Sequence, residues 1–156
     1  MSISNRKVVI VGAGHVGSHV GYALISQSLA DEIVYIDSDH AKAVAQALDL
    51  TDATNYLPVR TKVTAGDYSD AGDAQLMIIA AGPLPTGNQT RMDTLGQTIA
   101  ILKEVTKSIK ESGFDGIIVN ISNPADVITH YIQHTLNWAP ERIFSTSTTL
   151  DSARLR

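Results

Sequence analysis

Short runs of branched apolar residues alternate along the chain with longer segments in which apolar residues recur every three or four positions. The short runs predict strands at residues 7–11, 32–36, 61–65, 76–81, 116–120 and 142–145. The longer segments predict helices, because their spacing places the apolar residues on one helical face. The predicted buried stripes are Val16, Val20, Ala23 and Leu24; Val44, Ala47 and Leu50; and Ile99, Leu102, Val105 and Ile109.

The alternation of strand and helix is typical of βαβ units, whose strands pair in parallel. Several of the strand runs are apolar throughout, which indicates strands covered on both faces. We therefore predict an α/β fold with a doubly wound parallel sheet of the Rossmann type. In such sheets ligands bind at the carboxyl ends of the strands, so the informative loops are residues 12–17, 37–39, 82–91 and 121–124.

Composition limits the classes of function. The chain has 156 residues, of which 44% are hydrophobic and 18% charged, and this fits one globular domain. Its formal net charge of −4 gives no basic surface for nucleic acid or an anionic membrane. It has no cysteine, no signal-like apolar segment and no run long enough to span a bilayer. We expect a cytoplasmic protein with no metal site.

Residues 12–17, GAGHVG, match the pattern G-x-G-x-x-G between a predicted strand and a predicted helix. In this motif the first glycine makes a tight turn, the second admits a pyrophosphate to the backbone, and the third allows close helix packing. The helix N-terminus supplies unpaired N–H groups and partial positive charge. The predicted pyrophosphate-binding residues are Gly12, Gly14, His15, Val16 and Gly17.

Asp37 ends the next predicted strand, twenty residues after Gly17, where the dinucleotide fingerprint has a carboxylate that accepts from ribose hydroxyls. A carboxylate there repels a 2′-phosphate, and residues 38–40 include no arginine to offset it. The motif therefore predicts NAD rather than NADP. The structural alternative is a glycine turn in which Asp37 serves as a helix N-cap.

The loop after the fourth strand begins at Ala81 and Gly82 and is interrupted by proline and glycine up to Arg91, which we expect to open the long helix. Long loops in compact α/β units are often lids, and Arg91 would stand at the hinge of such a lid. A solvated surface arginine explains the same spacing equally well.

Two further polar groups stand at predicted loop and helix starts. Asn123 precedes Pro124, which favours an extended Asn123 with its amide at the ligand edge of the sheet; a plain helix cap is the alternative. Asp151 and Arg154 lie three residues apart and share one helical face. A surface ion pair is the common meaning of that spacing.

Taken together, these motifs resemble the N-terminal half of enzymes of the L-lactate/malate dehydrogenase family, nearest to L-lactate and L-2-hydroxyisocaproate dehydrogenases. The resemblance covers the whole chain in order. It is carried by GAGHVG with Asp37, by AAG at 80–82 with Arg91, by ISNPAD at 121–126 and by TLDSAR at 149–154. It implies an NAD-dependent oxidoreductase that interconverts an L-2-hydroxy acid and its 2-oxo acid by hydride transfer.

The resemblance also implies roles for individual residues. Arg91 corresponds to the arginine that closes on the substrate and polarises its carbonyl, and Asn123 to the asparagine at the nicotinamide and substrate carbonyl. Arg154 corresponds to the arginine that pairs with the substrate carboxylate, and Asp151 to the aspartate that orients the catalytic histidine. The cofactor-binding set is Gly12, Gly14, His15, Val16, Gly17, Asp37, Ala81, Gly82 and Asn123. Arg156 corresponds to an arginine of a fructose-1,6-bisphosphate effector site in some bacterial members.

The chain departs from the family pattern in three ways. Pro85 occupies the loop position that usually distinguishes lactate from malate enzymes, so the substrate stays open. Ser145 and Ser147 replace usual glycines. None of the five histidines, at positions 15, 19, 40, 130 and 134, matches the catalytic base. We therefore expect residues 1–145 to be the dinucleotide-binding domain and 146–156 the start of a substrate domain that continues beyond Arg156.

The family resemblance implies a glycolytic homo-oligomer, a tetramer or a dimer, with the helix at 41–53 as a contact surface. The sequence offers three alternative functions. A malate or L-2-hydroxyisocaproate dehydrogenase fits the same motifs, and a non-catalytic NAD-binding module explains the glycine loop and Asp37 alone. A short-chain dehydrogenase is disfavoured, because no tyrosine is followed four residues later by lysine.

Overall fold

Six parallel strands form one sheet in the computed structural model, which describes residues 5–83, 86–90 and 92–156. The strands are β1 (Lys7–Val11), β2 (Glu32–Ile36), β3 (Lys62–Ala65), β4 (Leu76–Ile79), β5 (Ile117–Asn120) and β6 (Ile143–Ser145). Their spatial order is β3-β2-β1-β4-β5-β6, so the direction of winding reverses between β1 and β4. A reversal of this kind opens a crevice at the carboxyl ends of the two central strands.

Helices cover both faces of this sheet. They are α1 (His15–Ser26), α2 (His40–Thr54), α3 (Leu95–Glu111), α4 (Ala125–Leu136) and α5 (Thr149–Arg154), with 3₁₀ turns at Tyr68–Ala71 and Pro140–Arg142. One apolar core lies between the sheet and α1 and α2, and a second lies between the sheet and α3 and α4. The predicted doubly wound α/β sheet is confirmed.

The burial of β1 explains the uninterrupted apolar run of its last four residues, 8–11. Val8 and Ile10 belong to the core under α1 and α2, whereas Val9 and Val11 belong to the opposite core. Successive side chains of a strand point to opposite faces, so a strand covered on both sides needs apolar residues at every position. All five residues of β1 are buried.

The first two predicted strands have the observed bounds, and the other four are shorter by one or two residues. The prediction for the fourth strand extended it to Ala81, but β4 ends at Ile79. The Ala80 N–H still donates to Val11 (2.8 Å), whereas the Ala81 carbonyl turns away and accepts from the Ser122 hydroxyl (2.7 Å). Gly82 then has φ +150, a conformation that side chains rarely adopt, and the strand cannot continue.

The predicted buried stripe of α1 is confirmed only in part. Val20 and Leu24 are partly buried and pack against the core, but Ala23 is exposed and Val16 is 50% exposed. The fully buried residues of this helix are Gly17, Gly21 and Ile25. A Cβ at Gly17 would overlap the Gly12 carbonyl oxygen, so glycine allows the helix to approach β1 more closely than valine would. In α2 the predicted Ala47 and Leu50 are buried, but Ala43 is buried in place of Val44, which is 36% exposed. The stripe of α3 is confirmed, with Leu102, Val105 and Ile109 buried and Ile99 partly buried.

The long helix begins later than the sequence suggested. Arg91 was expected to open it, but α3 starts at Leu95. The reason is a turn closed by Asp93, whose carboxylate accepts from the Thr90 N–H (2.6 Å) and hydroxyl (2.8 Å). Arg91 itself lies outside the described residues. Of the helices in the described ranges, none has the length and apolarity needed to cross a bilayer.

Candidate functional site

The loop between β1 and α1 is shaped by Gly12. This glycine has φ +105, and its N–H donates to the Ile36 carbonyl at the end of β2 (2.8 Å). A Cβ at this position would lie 2.6 Å from the Ala80 carbonyl oxygen. Glycine is therefore required both for the conformation and for the close approach of β1 to β4. The predicted tight turn is confirmed.

Gly14 leaves open space at the start of α1. It is the N-cap residue, and within the described chain no side chain caps this helix. A Cβ there would meet only the Lys42 Nζ within 4 Å, at 3.9 Å. The first-turn N–H groups of a helix without a side-chain cap, together with the partial positive charge of its N-terminus, suit an anionic group. The geometry fits the pyrophosphate of a dinucleotide.

Asp37 holds the loop rather than the following helix. Its Oδ2 accepts from the Ala13 N–H (2.7 Å), and its Oδ1 accepts from the Asp39 N–H (2.9 Å). The N-cap of α2 is Asp39, whose side chain accepts from the Lys42 N–H (3.3 Å). The alternative in which Asp37 is the helix N-cap is therefore wrong. The Ser38 hydroxyl also donates to Oδ1, at 3.5 Å. A carboxylate has about four acceptor positions, so at least one stays available for a ribose hydroxyl.

A cavity of about 710 Å³ lies at the carboxyl ends of β1, β2 and β4. Its volume is in the range usual for small-molecule sites. Five of the predicted cofactor-binding residues line it, namely Gly12, Gly14, Asp37, Ala81 and Gly82. The cavity therefore joins the phosphate loop to the carboxylate that was expected to take the ribose.

Sequence reasoning missed several residues of this cavity. Lys42 places a cation beside Gly14, and His40, Asp67, Tyr68 and Glu104 also contribute to the lining. Lys42 lies in the first turn of α2, two residues after the segment 38–40 that follows Asp37 and contains no arginine. Tyr68 comes from the 3₁₀ turn after β3, and burial raises its pKa above the ordinary value, so its hydroxyl stays protonated.

The cavity has an acidic rim at the β2 and β3 end. Asp67 accepts from the N–H and the hydroxyl of Ser69 (2.7 and 2.6 Å), and these bonds lower the pKa of its carboxyl. The charged side chains that line the cavity therefore include the carboxylates of Asp37, Asp67 and Glu104 as well as the ammonium group of Lys42. This distribution is unfavourable for an additional phosphate on the ribose.

The side chains of His15 and Val16 point elsewhere. Together with His19, Val20 and Ala23 they form a shallow exposed face of α1, and they do not line the cavity. Their predicted place at the cofactor can rest only on their backbone N–H groups in the first turn of α1. Gly17 is buried against Gly12 and serves packing, as predicted.

Asn123 is exposed in the turn after β5, and its peptide bond to Pro124 is cis. The N-cap residue of α4 is Pro124, so the alternative that treated Asn123 as the helix cap is wrong. Asp151 and Arg154 form an ion pair of 3.6 Å on α5, with both side chains about two-thirds exposed. Neither lines the cavity. Arg91 and Pro85 lie outside the described residues.

The two serines that replace usual glycines have different environments. Ser145 ends β6 and pairs with Asn120. Ser147 has φ +27, and its hydroxyl donates to the Asp126 carboxylate (2.6 Å). The positive φ explains why glycine suits this position, and the hydrogen bond shows how a serine is held there.

The fold and the cavity define a dinucleotide-binding domain of the Rossmann class. Comparison with known proteins then gives the family. Residues 6–145 match the model of the lactate/malate dehydrogenase NAD binding domain, and the chain belongs to this family. It is 42% identical over its whole length to L-lactate dehydrogenase 3 of Bacillus cereus.

Solved structures agree. The ligand-bound minor L-lactate dehydrogenase of Enterococcus mundtii superposes with a TM-score of 0.90 at 40% identity, covering 95% of this chain and 47% of that one. The malate dehydrogenase of Archaeoglobus fulgidus in complex with NADH gives 0.89 at 30% identity, covering 96% and 51%. The chain spans about half the length of the relatives it matches, 49% for the Bacillus cereus protein.

Proposed function

We propose that this chain is the cofactor-binding part of an NAD-dependent dehydrogenase that interconverts an L-2-hydroxy acid and its 2-oxo acid, of the L-lactate type. The observation that carries the proposal is the bond between Asp37 and the Ala13 N–H beside the open N-terminus of α1. One cavity thus offers N–H groups and Lys42 to a pyrophosphate and carboxylate oxygens to a ribose. NAD, when bound, supplies the hydride acceptor.

The roles of the remaining site residues follow the family pattern. Arg91 closes over the substrate and meets charge at its carbonyl oxygen, and Arg154 holds the substrate carboxylate in a two-point contact that suits a guanidinium. The Asn123 side chain forms hydrogen bonds at the nicotinamide and the substrate carbonyl. Asp151 orients the histidine that takes the hydroxyl proton, and an adjacent carboxylate stabilises the charged imidazole. None of the five histidines in this sequence occupies that position, so we assign proton transfer to a residue outside it.

The domain division follows from the same assignment. Residues 1–145 bind the cofactor, and residues 146–156 begin a second domain that completes the substrate site. The exposed ion pair of Asp151 and Arg154 is consistent with side chains that reach their partners only when that domain is present. Arg156 is proposed as a contact for a phosphorylated effector.

The proposal places the enzyme in the cytoplasm as a glycolytic homo-oligomer, a tetramer or a dimer. Val44 and Leu48 support this assembly, because they expose 36% and 62% of their surface on α2 and suit burial against a second copy. Light scattering on the complete gene product tests the assembly. A monomer, unchanged in mass by Leu48→Lys, would contradict it.

Two assays test the activity. The 156-residue chain is expected to bind NADH but not to oxidise it with pyruvate, oxaloacetate or 2-oxoisocaproate. The complete gene product is expected to reduce at least one of the three, and the preferred acid identifies it as a lactate, malate or L-2-hydroxyisocaproate dehydrogenase. Turnover by the chain alone would refute the assignment of the base, and inactivity of the complete product with all three would refute the proposed reaction.

A second candidate is an NAD-binding module without chemistry. It is favoured by one observation, that Asp151 and Arg154 pair with each other on the surface and do not line the cavity. The assay of the complete product separates the two candidates, because a module binds NADH without reducing any of the acids.

A further inference from the structure

A buried polar cluster lies directly behind the turn that carries Asn123. It consists of Asn120, Ser122 and Thr129, which are 0%, 7% and 8% exposed, and we call it the Asn120 cluster. Asn120 ends β5, where it pairs with Ile79 of β4 on one side and Ser145 of β6 on the other. Burying an amide costs free energy unless its donors and acceptor are all paired. The partners of Asn120 therefore indicate what this residue is for.

Among the described residues, the hydrogen-bond partners of the Asn120 side chain belong to the turn or to the helix that follows it. The amide hydrogens are shared among the Ser122 carbonyl (3.3 Å), the Ala125 carbonyl (3.1 Å) and the Thr129 hydroxyl (3.0 Å). The amide oxygen accepts from the Ser122 N–H (3.0 Å). The backbone partners, Ser122 and Ala125, lie on either side of Asn123, so one side chain fixes the backbone that presents Asn123.

Ser122 extends the connection to the neighbouring strand. Its hydroxyl donates to the Ala81 carbonyl at 2.7 Å, with a longer contact to the Ile79 carbonyl at 3.3 Å. The Ile121 N–H also donates to Ile79 (2.9 Å). The turn after β5 and the loop that carries Ala81 and Gly82 are thus held together by buried hydrogen bonds at the carboxyl edge of the sheet.

The turn after β5 and the Asn120 cluster lie on one side of the place between β1 and β4 where the direction of winding reverses. Asp37 follows β2 and assigns the adenosine ribose to the β1-β2-β3 half of the sheet. Each half of such a sheet takes one mononucleotide, so the nicotinamide nucleotide falls on the β4-β5-β6 half. The Asn120 cluster lies in that half, and in the part of the chain that the structure describes it shares no hydrogen bond with the phosphate loop or with Asp37.

We infer that Asn120 is a positioning residue for the nicotinamide half of the cofactor: it fixes the turn carrying Asn123 and, through Ser122, aligns that turn with Ala81 and Gly82. The inference rests on the proposed cofactor function. It predicts that damage to the cluster weakens contacts to the nicotinamide nucleotide and spares contacts to adenosine and pyrophosphate. ADP-ribose, which lacks the nicotinamide, separates the two halves.

Equilibrium titration of the chain with NADH and with ADP-ribose tests the inference. Asn120→Leu is expected to weaken NADH binding about tenfold, which corresponds to the loss of one or two hydrogen bonds, and to change ADP-ribose binding less than about twofold. Thr129→Val, which keeps the shape of the side chain but removes the acceptor for the Asn120 amide, is expected to act in the same direction. Thr129→Ser keeps that acceptor and should bind both ligands as the parent chain does.

The matched control is Thr106→Val. Thr106 is also buried, but within the described residues its hydroxyl donates only to carbonyls of its own helix, at Leu102 (2.7 Å) and Lys103 (3.3 Å). This variant should leave the ratio of NADH to ADP-ribose affinity unchanged even where it lowers the melting temperature. The ratio therefore reports positioning and not general stability.

Three results would overturn the inference. The first is an unchanged affinity ratio in both Asn120→Leu and Thr129→Val; if Asn120→Leu does not fold, Thr129→Val alone decides. The second is a parent chain that binds NADH no more tightly than ADP-ribose, because the turn would then contribute nothing to the cofactor. A parent chain that binds neither ligand refutes the proposed function itself, and the positioning role with it.

Discussion

The carboxylate of Asp37, at the end of β2, accepts a hydrogen bond of 2.7 Å from the backbone N–H of Ala13, in the loop after β1. Charge-assisted bonds of this kind are stronger than neutral ones. A single side chain thus fixes the loop that faces the pyrophosphate and keeps an acceptor position for the ribose. The bond joins the two parts of the cofactor motif, the glycine loop and Asp37, and explains why both parts are needed in one site.

The cation beside Gly14 gives the first prediction. Lys42→Met keeps the length of the side chain and removes its charge, and we expect NADH to bind about five- to tenfold more weakly, the effect of losing one charged contact to phosphate. Adenosine, which has no phosphate, should bind as before. The measurement is a titration at two salt concentrations, because the Lys42 contribution should shrink as salt screens it.

Lys107→Met is the control for this variant, since Lys107 is an exposed residue of α3 that does not line the cavity. It should change neither the affinity for NADH nor its salt dependence. Equal losses in both variants would show that net charge, and not the place of Lys42 beside Gly14, governs binding.

The packing of α1 on β2 gives the second prediction. A Cβ at Gly21 would overlap the hydroxyl of Tyr35, a buried side chain whose hydroxyl donates to the Gly17 carbonyl (3.2 Å). We expect Gly21→Ala to lower the free energy of unfolding by about 1–3 kcal/mol, as overpacking does. Urea denaturation measures the change.

The double variant Gly21→Ala/Tyr35→Leu removes the atoms that collide. It should be more stable than the sum of the two single changes predicts, by at least about 0.5 kcal/mol, a coupling expected only for residues in contact. Gly96→Ala is the matched control, because a Cβ there meets nothing within 4 Å. That variant should not destabilise the chain, and strict additivity of the first pair would refute the described contact.

The third prediction concerns acid stability. Arg6 donates to both carboxylate oxygens of Asp31 through its side chain (3.0 and 2.7 Å) and also through its backbone N–H (2.9 Å). The side-chain bond to Arg6 is the main cause that lowers the pKa of Asp31 from 3.8 to about 2. A carboxyl with a lowered pKa stabilises the fold above its unfolded pKa and loses that contribution as the pH falls through the folded value.

The contribution of this pair should therefore be complete above pH 4 and decline between pH 4 and 2. Arg6→Met, compared with the parent chain by thermal unfolding, should be the less stable of the two at pH 5. The difference should narrow steadily toward pH 2. A difference that stays constant over this range would show that the Asp31 carboxyl does not titrate as described.

The sequence was sufficient to predict the sheet and the central part of the site. Residues 8–11 of β1 are all apolar because both faces of the sheet are covered, and this signal is local in the sequence. The position of Gly12 requires a backbone conformation that glycine adopts most readily, and the position of Asp37 requires a carboxylate. Both residues can therefore be recognised in the sequence. The sequence therefore predicted β1 and the loop that begins at Gly12 correctly.

The errors arose where neighbours decide the outcome. Periodicity favoured Val16 and Ala23 as buried residues of α1, but close packing against Gly12 and Tyr35 selects Gly17 and Gly21 instead. Small residues at a helix contact give no apolar signal. Lys42 was missed for a related reason: only the fold brings the first turn of α2 beside Gly14.

The central claim, that the cavity holds NAD through the phosphate loop and Asp37, is tested most directly by titrating the chain with NADH and NADPH. We expect saturable NADH binding with NADPH weaker by at least about tenfold, and Asp37→Ser should lower the affinity for NADH and narrow that difference. Absence of NADH binding, or equal affinity of the parent chain for the two cofactors, would contradict the assignment.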